Sequence, residues 1–182
     1  MLSVPNVLSF ARLLAVPAMV LLLLNRDYDF AFALFVLAGI SDAVDGWWAK
    51  TFNARTEFGA YLDPLADKAL VVSTYLTLGW LGHIPTWLVL LVVFRDLLIV
   101  GGAIVAWLML GEFRSRPMLV SKINTGVQLA LVGLLLAELG LKFEIAPLNR
   151  ALIYVAGVTT VASGFAYLFR WGKRLGHPSG SA

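Results

Sequence analysis

Cysteine is absent from the 182 residues, which excludes disulfides and thiolate metal ligands and leaves oxygen to hold any metal ion. Charge is scarce as well. Lys, Arg, Asp and Glu make up 14% of the chain against a hydrophobic fraction of 60%, and the mean hydropathy is +0.85. A soluble domain of this length needs far more polar surface, so an integral membrane protein is expected. The amino terminus also lacks a basic stretch before its apolar run, and Ala15 to Leu24 leads into Asn25-Arg26-Asp27 without a small-residue cleavage pattern. A retained first span is therefore expected. No repeat of fixed period, no low-complexity segment before the last few residues and no break in composition divides the chain, which reads as a single membrane domain over residues 1–182.

What is present is six apolar stretches of roughly 18 to 25 residues, the length that crosses a bilayer as a helix. They run from about Val7 to Leu24, Phe30 to Ala49, Ala60 to Leu81, Pro85 to Leu110, Ser121 to Leu139 and Leu148 to Phe169. An open sheet would leave backbone groups unpaired in lipid, and no barrel-like alternation appears. Pro5, Pro85 and Pro147 fall at span starts, where a missing backbone donor costs little. The fold class that follows is all-α integral membrane, with six transmembrane helices in one bundle joined by short links.

An even number of spans puts both termini on one side, together with the links after the second and fourth spans. That side carries Lys50, Arg55, Arg114, Arg116, Lys122, Arg170, Lys173 and Arg174, whereas the other has Arg26, Lys142 and Arg150. The excess of basic residues predicts cytoplasmic termini. The Lys50 to Gly59 link would open to the same side.

Around that link sit four carboxylates in apolar surroundings: Asp42 and Asp45 before it, Asp63 and Asp67 after it. Spacings of three and four place each pair on one face of its helix, and a short link makes the helices antiparallel neighbours. Carboxylates in lipid cost several kcal/mol unless a strong positive charge compensates them. The set suits two divalent ions, Mg²⁺ or Mn²⁺, and paired ions of that kind serve in-line phosphoryl displacement. Gly46, Ala49 and Gly59 are small enough to let a flat, phosphate-bearing ligand approach the backbone. Trp47 and Trp48 read as interface anchors.

The segment Asp42-Ala-Val-Asp45-Gly46-Trp-Trp-Ala49-Lys50, followed after eight residues by Gly59-Ala-Tyr-Leu-Asp63-Pro-Leu-Ala-Asp67, resembles the signature of the CDP-alcohol phosphatidyltransferases. The family's usual arginine after the alanine is here Lys50, which keeps the charge and loses bidentate geometry. The resemblance extends to the opening Pro-Asn-Val-Leu-Ser-Phe-Ala-Arg and the six-span plan. It implies transfer of the phosphatidyl group of CDP-diacylglycerol to an alcohol with release of CMP, usually by a homodimer. It further implies that Asp42, Asp45, Asp63 and Asp67 bind two divalent ions, that Asp67 is also the general base, and that Gly46, Ala49 and Gly59 line the nucleotide pocket. Lys50 would face the diphosphate.

Within the family the chain is most similar to the eukaryotic-type, CMP-forming cardiolipin synthases, and next to the phosphatidylglycerophosphate synthases. The fourth span reads Phe94-Arg95-Asp96, and the fifth opens Val120-Ser121-Lys122-Ile123-Asn124-Thr125. The glycerol-3-phosphate enzymes tend to carry a second lysine where Asn124 stands. Phosphatidylglycerol is therefore the expected acceptor and glycerol-3-phosphate the alternative, with Arg95, Arg114, Arg116, Lys122 and Asn124 as candidate acceptor-binding residues. Arg95 lies about ten residues into its span, where a guanidinium must have a partner, either structural or substrate.

The two histidines, His83 and His177, lie in a link and in the tail, away from the acids, so a phosphohistidine route is excluded. The phospholipase-D-like cardiolipin synthases, which use two His-x-Lys motifs, are excluded with it. A divalent-cation transporter is the alternative from another class, since intramembrane acids mark ion pathways. Against it, all four acids lie near one side and no inverted half-repeat is visible. The expected location is a bacterial inner membrane or its mitochondrial equivalent, with the site facing cytoplasm or matrix. Membrane lipids are the surroundings, and no nucleic-acid partner is expected.

Overall fold

The computed structural model describes residues 4–52, 57–110, 119–142 and 145–175, and the side chains of residues 10–44, 66–102, 119–142 and 145–170. Six helices account for nearly all of them: α1 (Val4–Leu24), α2 (Tyr28–Phe52), α3 (Glu57–Trp80), α4 (Thr86–Leu110), α5 (Leu119–Leu141) and α6 (Ala146–Leu175). Among the described residues there is no strand. By length and apolar composition, the segments Leu119–Leu141 and Ala146–Arg170 are the clearest candidates to cross a membrane.

The helices outrun the apolar stretches that predict them, because polar and basic residues continue the same backbone past the hydrophobic segment. α2 runs on through Lys50 to Phe52, and α3 begins at Glu57. The link expected from Lys50 to Gly59 is thus much shorter, and both of those residues belong to helices. In consequence the acids sit deeper than the sequence reading placed them. Asp42 lies ten residues before the end of α2 and Asp67 ten residues after the start of α3, about 15 Å along each axis.

Two helices end in the same way. Arg26 and Gly82 adopt positive φ, 64° and 80°, just past α1 and α3. The amide of Asp27 reaches the Leu22 carbonyl at 2.9 Å, and that of Arg26 reaches Leu23 at 3.0 Å. His83 N–H to Leu78 and Gly82 N–H to Gly79 repeat the pattern at 2.9 and 3.1 Å. These Schellman closures satisfy carbonyls that would otherwise be left at the helix ends. Glycine occupies the left-handed position in one closure and arginine in the other.

The chain divides into two compact units, Met1–Ile84 with Val132–Ala146, and Pro85–Leu131 with Pro147–Ala182. In the first unit α1 packs along α3 and, less extensively, along α2, around Met19, Leu23, Leu70, Tyr75 and Leu78. The end of α5 lies against the start of α2. A Cβ on Gly140 would stand 2.8 Å from the Tyr28 carbonyl oxygen and 2.9 Å from Asp29 Cα, so the approach requires glycine. In the second unit Trp87 stacks on Tyr154, with ring centroids 6.2 Å apart, and covers Gly157.

Both units invert the polarity of a soluble fold. On α4, Leu90, Phe94 and Leu97 face outward while Leu88, Val92 and Arg95 are buried, each set following the helical period. Phe30, Leu37 and Phe165 are likewise exposed, whereas Thr74, Gln128 and Ser163 are buried. Thr74 and Thr77 donate to the Leu70 and Ser73 carbonyls of their own helix at 2.7 and 2.8 Å, which meets their hydrogen-bonding need without water. An apolar exterior around buried polar groups is the surface a bilayer covers.

Candidate active site

Three helices of the first unit each contribute one charged side chain to a single point. Arg12 of α1 donates through Nη1 to Asp42 Oδ1 of α2 at 3.2 Å, and the same nitrogen donates to Asp67 Oδ1 of α3. The two acids lie equally far from the α2–α3 link, ten residues along each helix, and both reach Arg12. The arginine side chain is 3% exposed, against 56% for Asp42 and 38% for Asp67. The guanidinium therefore lies behind the carboxylates, and the carboxylates form the open side.

Asp45 and Asp63 ride on the same helices, one turn nearer the α2–α3 link than Asp42 and Asp67. Their side chains, and those of Ala49 and Lys50, lie outside the described residues, as do the surroundings of Gly46 and Gly59. The two acids that are described fit a hard cation: oxygen donors from two helices already converge on one positive charge, with part of each carboxylate outward.

The second unit holds its own buried arginine. Arg95, 5% exposed, donates from Nη1 to Asp96 at 2.6 Å, from Nε and Nη2 to Ser163 Oγ at 3.1 and 2.9 Å, and from Nη2 to Ser121 Oγ. Farther along α5, Gln128 Nε2 donates to Thr160 Oγ1 at 3.2 Å, and Thr160 donates to Asn124 Oδ1 at 2.9 Å. Thr159 is bonded to the same oxygen at 2.9 Å. This chain of donors fixes the Asn124 amide with Oδ1 toward the threonines, and Nδ2 is left fully buried with no protein partner. Lys122 is exposed, two residues and about 200° around the helix from Asn124, so the structure does not bring the two together. Arg114 and Arg116 lie outside the described residues.

A family model described as CDP-alcohol phosphatidyltransferase matches residues 2–162, a stretch that includes all four acids and both buried arginines. The chain belongs to the CDP-alcohol phosphatidyltransferase family. It is 32% identical over 183 residues to a Drosophila melanogaster protein described as "Probable cardiolipin synthase (CMP-forming)", covering 92% of this chain and 57% of that one. The human "Cardiolipin synthase (CMP-forming)" is 30% identical over 188 residues, covering 94% and 62%. The "CDP-diacylglycerol--glycerol-3-phosphate 3-phosphatidyltransferase" of Bacillus subtilis is 32% identical over 184 residues, covering 92% and 94%. The chain thus spans about three-fifths of the cardiolipin synthases it matches and nearly all of the bacterial glycerol-3-phosphate enzyme.

Against the family signature, the residue that sequence reasoning left without a role is Arg12. Its signal was available: a cation inside an apolar span needs a partner, and the acids of the next two spans were the obvious ones. Ser121, Ser163, Thr159 and Thr160 carried no such signal. Hydroxyl residues are common in membrane helices, and only the packing of α4, α5 and α6 in the second unit assigns these their partners.

Proposed function

We propose that this chain transfers the phosphatidyl group of CDP-diacylglycerol to an alcohol and releases CMP, with phosphatidylglycerol as acceptor and cardiolipin as product. The observation that supports the chemistry is the convergence of Asp42 and Asp67, from two helices, on one cation at matched depth. Asp42, Asp45, Asp63 and Asp67 would hold two divalent ions, Mg²⁺ or Mn²⁺. Bound there, the ions would neutralise the diphosphate and the departing CMP.

Asp67 takes the proton of the acceptor hydroxyl as that oxygen attacks the β-phosphorus, the phosphorus that bears the diacylglycerol. The bond from that phosphorus to the bridging oxygen breaks, and its electrons leave with CMP as a phosphomonoester. Gly46, Ala49 and Gly59 give the nucleotide room beside the backbone, and Lys50 lends it positive charge. The wider reading is a single six-span domain, with both termini and the acidic site on the cytoplasmic or matrix side, working as a homodimer.

For the acceptor, the supporting residue is Asn124. Its buried, partnerless Nδ2 is a neutral donor, adequate for one phosphodiester oxygen but unable to offset the second charge of a phosphomonoester. The alternative, glycerol-3-phosphate giving phosphatidylglycerophosphate, is favoured by the near full-length match to the Bacillus subtilis enzyme. The test is to supply purified protein with CDP-diacylglycerol and Mg²⁺ or Mn²⁺, then phosphatidylglycerol or glycerol-3-phosphate in turn. CMP release with cardiolipin is expected. Phosphatidylglycerophosphate formed in its place would move the assignment to the alternative, and no CMP with any acceptor would overturn the activity.

A further inference from the structure

The arginine behind the acids invites a choice between two roles. A guanidinium bonded to Asp42 and Asp67 could compete with a divalent ion for their oxygens, or it could hold the carboxylates in place while the ion binds from the open side. Burial decides between them. With its side chain 3% exposed, Arg12 has no water to turn to if its partners are taken away, and an unpaired guanidinium at that depth is costly. The contacts to Asp42 and Asp67, moreover, each use Oδ1 and come from the buried side.

We infer that Arg12 is a positioning residue for the metal site: bonded to Oδ1 of Asp42 and of Asp67, it locks two carboxylates from separate helices so that their remaining oxygens converge on an incoming divalent ion. The inference rests on the metal-dependent reading above. It follows the usual division of labour in metal sites, where a partner behind the ligands sets their orientation. Arg12 also offsets part of the negative charge of Asp42 and Asp67 before an ion arrives. A lysine is a poor replacement, because its ammonium rides on a flexible stem, whereas the rigid, planar guanidinium holds in place the one nitrogen, Nη1, that both carboxylates share.

The test is Mn²⁺ binding to full-length protein in lipid nanodiscs, read from loss of the free-ion electron paramagnetic resonance signal, for wild type, Arg12→Gln and Arg12→Lys. Arg12→Gln should bind Mn²⁺ about 10- to 100-fold more weakly, the usual effect of removing a residue that orients ligands. Arg12→Lys, which keeps the charge and is the variant better able to fold, should be weakened by an intermediate factor. Unchanged or tighter binding in Arg12→Gln would mean that the guanidinium competes with the ion, and binding to Arg12→Lys equal to wild type would mean that charge alone matters. Either result overturns the inference and leaves the metal site standing. Absence of Mn²⁺ binding in all three proteins would instead overturn the metal-dependent reading, and the inference with it.

Discussion

Arg12 and Arg95 are equally buried, each 5% exposed, yet their surroundings differ in kind. Arg95 is enclosed: its acid is the next residue in the chain, 15% exposed at the side chain, and two serine hydroxyls take its other nitrogens. Arg12 binds acids 30 and 55 residues away on two other helices, and those acids are partly open. A satisfied buried charge holds helices together, whereas a buried charge whose partners face outward is part of a site. The sequence reading placed Arg95 in the acceptor pocket; its closed shell supports a structural role, and we propose that role for it.

The contrast is broken most easily at Asp67. Asp67→Asn should lower turnover by about 10²- to 10⁴-fold, the usual contribution of a positioned general base, while CDP-diacylglycerol binding stays measurable. Single-turnover CMP release and nucleotide binding by the same preparation check this. A variant that kept more than about a tenth of the wild-type rate would remove Asp67 from the proton transfer.

Next in size is Arg95→Gln, which takes the guanidinium away from Asp96, Ser121 and Ser163. Breaking a buried charged pair costs about 3 to 5 kcal/mol, so a large fall in thermal stability is expected. Specific activity of the protein that remains folded should stay within a few-fold of wild type. A stable Arg95→Gln protein with a raised KM for the acceptor would return Arg95 to the pocket and erase the difference between the two arginines.

What could be read from the sequence follows the same line. Helices were legible from their apolar runs, because a backbone in lipid must bond within itself. Their ends were not, since residues such as Lys50, Thr51 and Phe52 continue α2 beyond its apolar part, and the short α2–α3 link came from that extension. Asp42 and Asp67 stand out by spacing, but their common cation lies on a different helix, 30 and 55 residues away, where no local spacing ties it to them. Asp96 was a legible neighbour for Arg95. Ser163, 68 residues away, was not, because nothing local marks which hydroxyl a long-range fold will bring to a guanidinium.

A smaller effect sharpens the acceptor assignment. Asn124→Lys should shift the ratio of glycerol-3-phosphate to phosphatidylglycerol use toward the phosphomonoester, by at most about 1.5 to 3 kcal/mol, one charge-assisted hydrogen bond. Burying an ammonium where Thr159 and Thr160 now bond an amide oxygen will also destabilise the protein. The ratio of the two products, measured in one reaction with both acceptors, is insensitive to that loss. No change in the ratio would remove Asn124 from acceptor choice.

The smallest effect tests the far end of the first unit, where the polar contact is neutral. Tyr28 Oη lies 3.0 Å from His83 Nε2, with the rings edge to face, and burial followed by the nearby charge of Arg26 pushes the imidazole below its ordinary range. The folded protein therefore resists protonating His83, while the unfolded chain takes the proton near pH 6.5. Stability present above that pH should fall as the solution is acidified, and the titration of the ring by NMR should lie below the ordinary value. Arg26→Gly removes the charge and places glycine at the left-handed position that closes α1, φ 64°. It should raise the His83 midpoint toward normal, reduce the acid loss and stabilise the neutral-pH protein by on the order of 1 kcal/mol. An unmoved His83 midpoint would show that burial alone sets it, and that charge at this end of the unit matters as little as charge at the other end matters much.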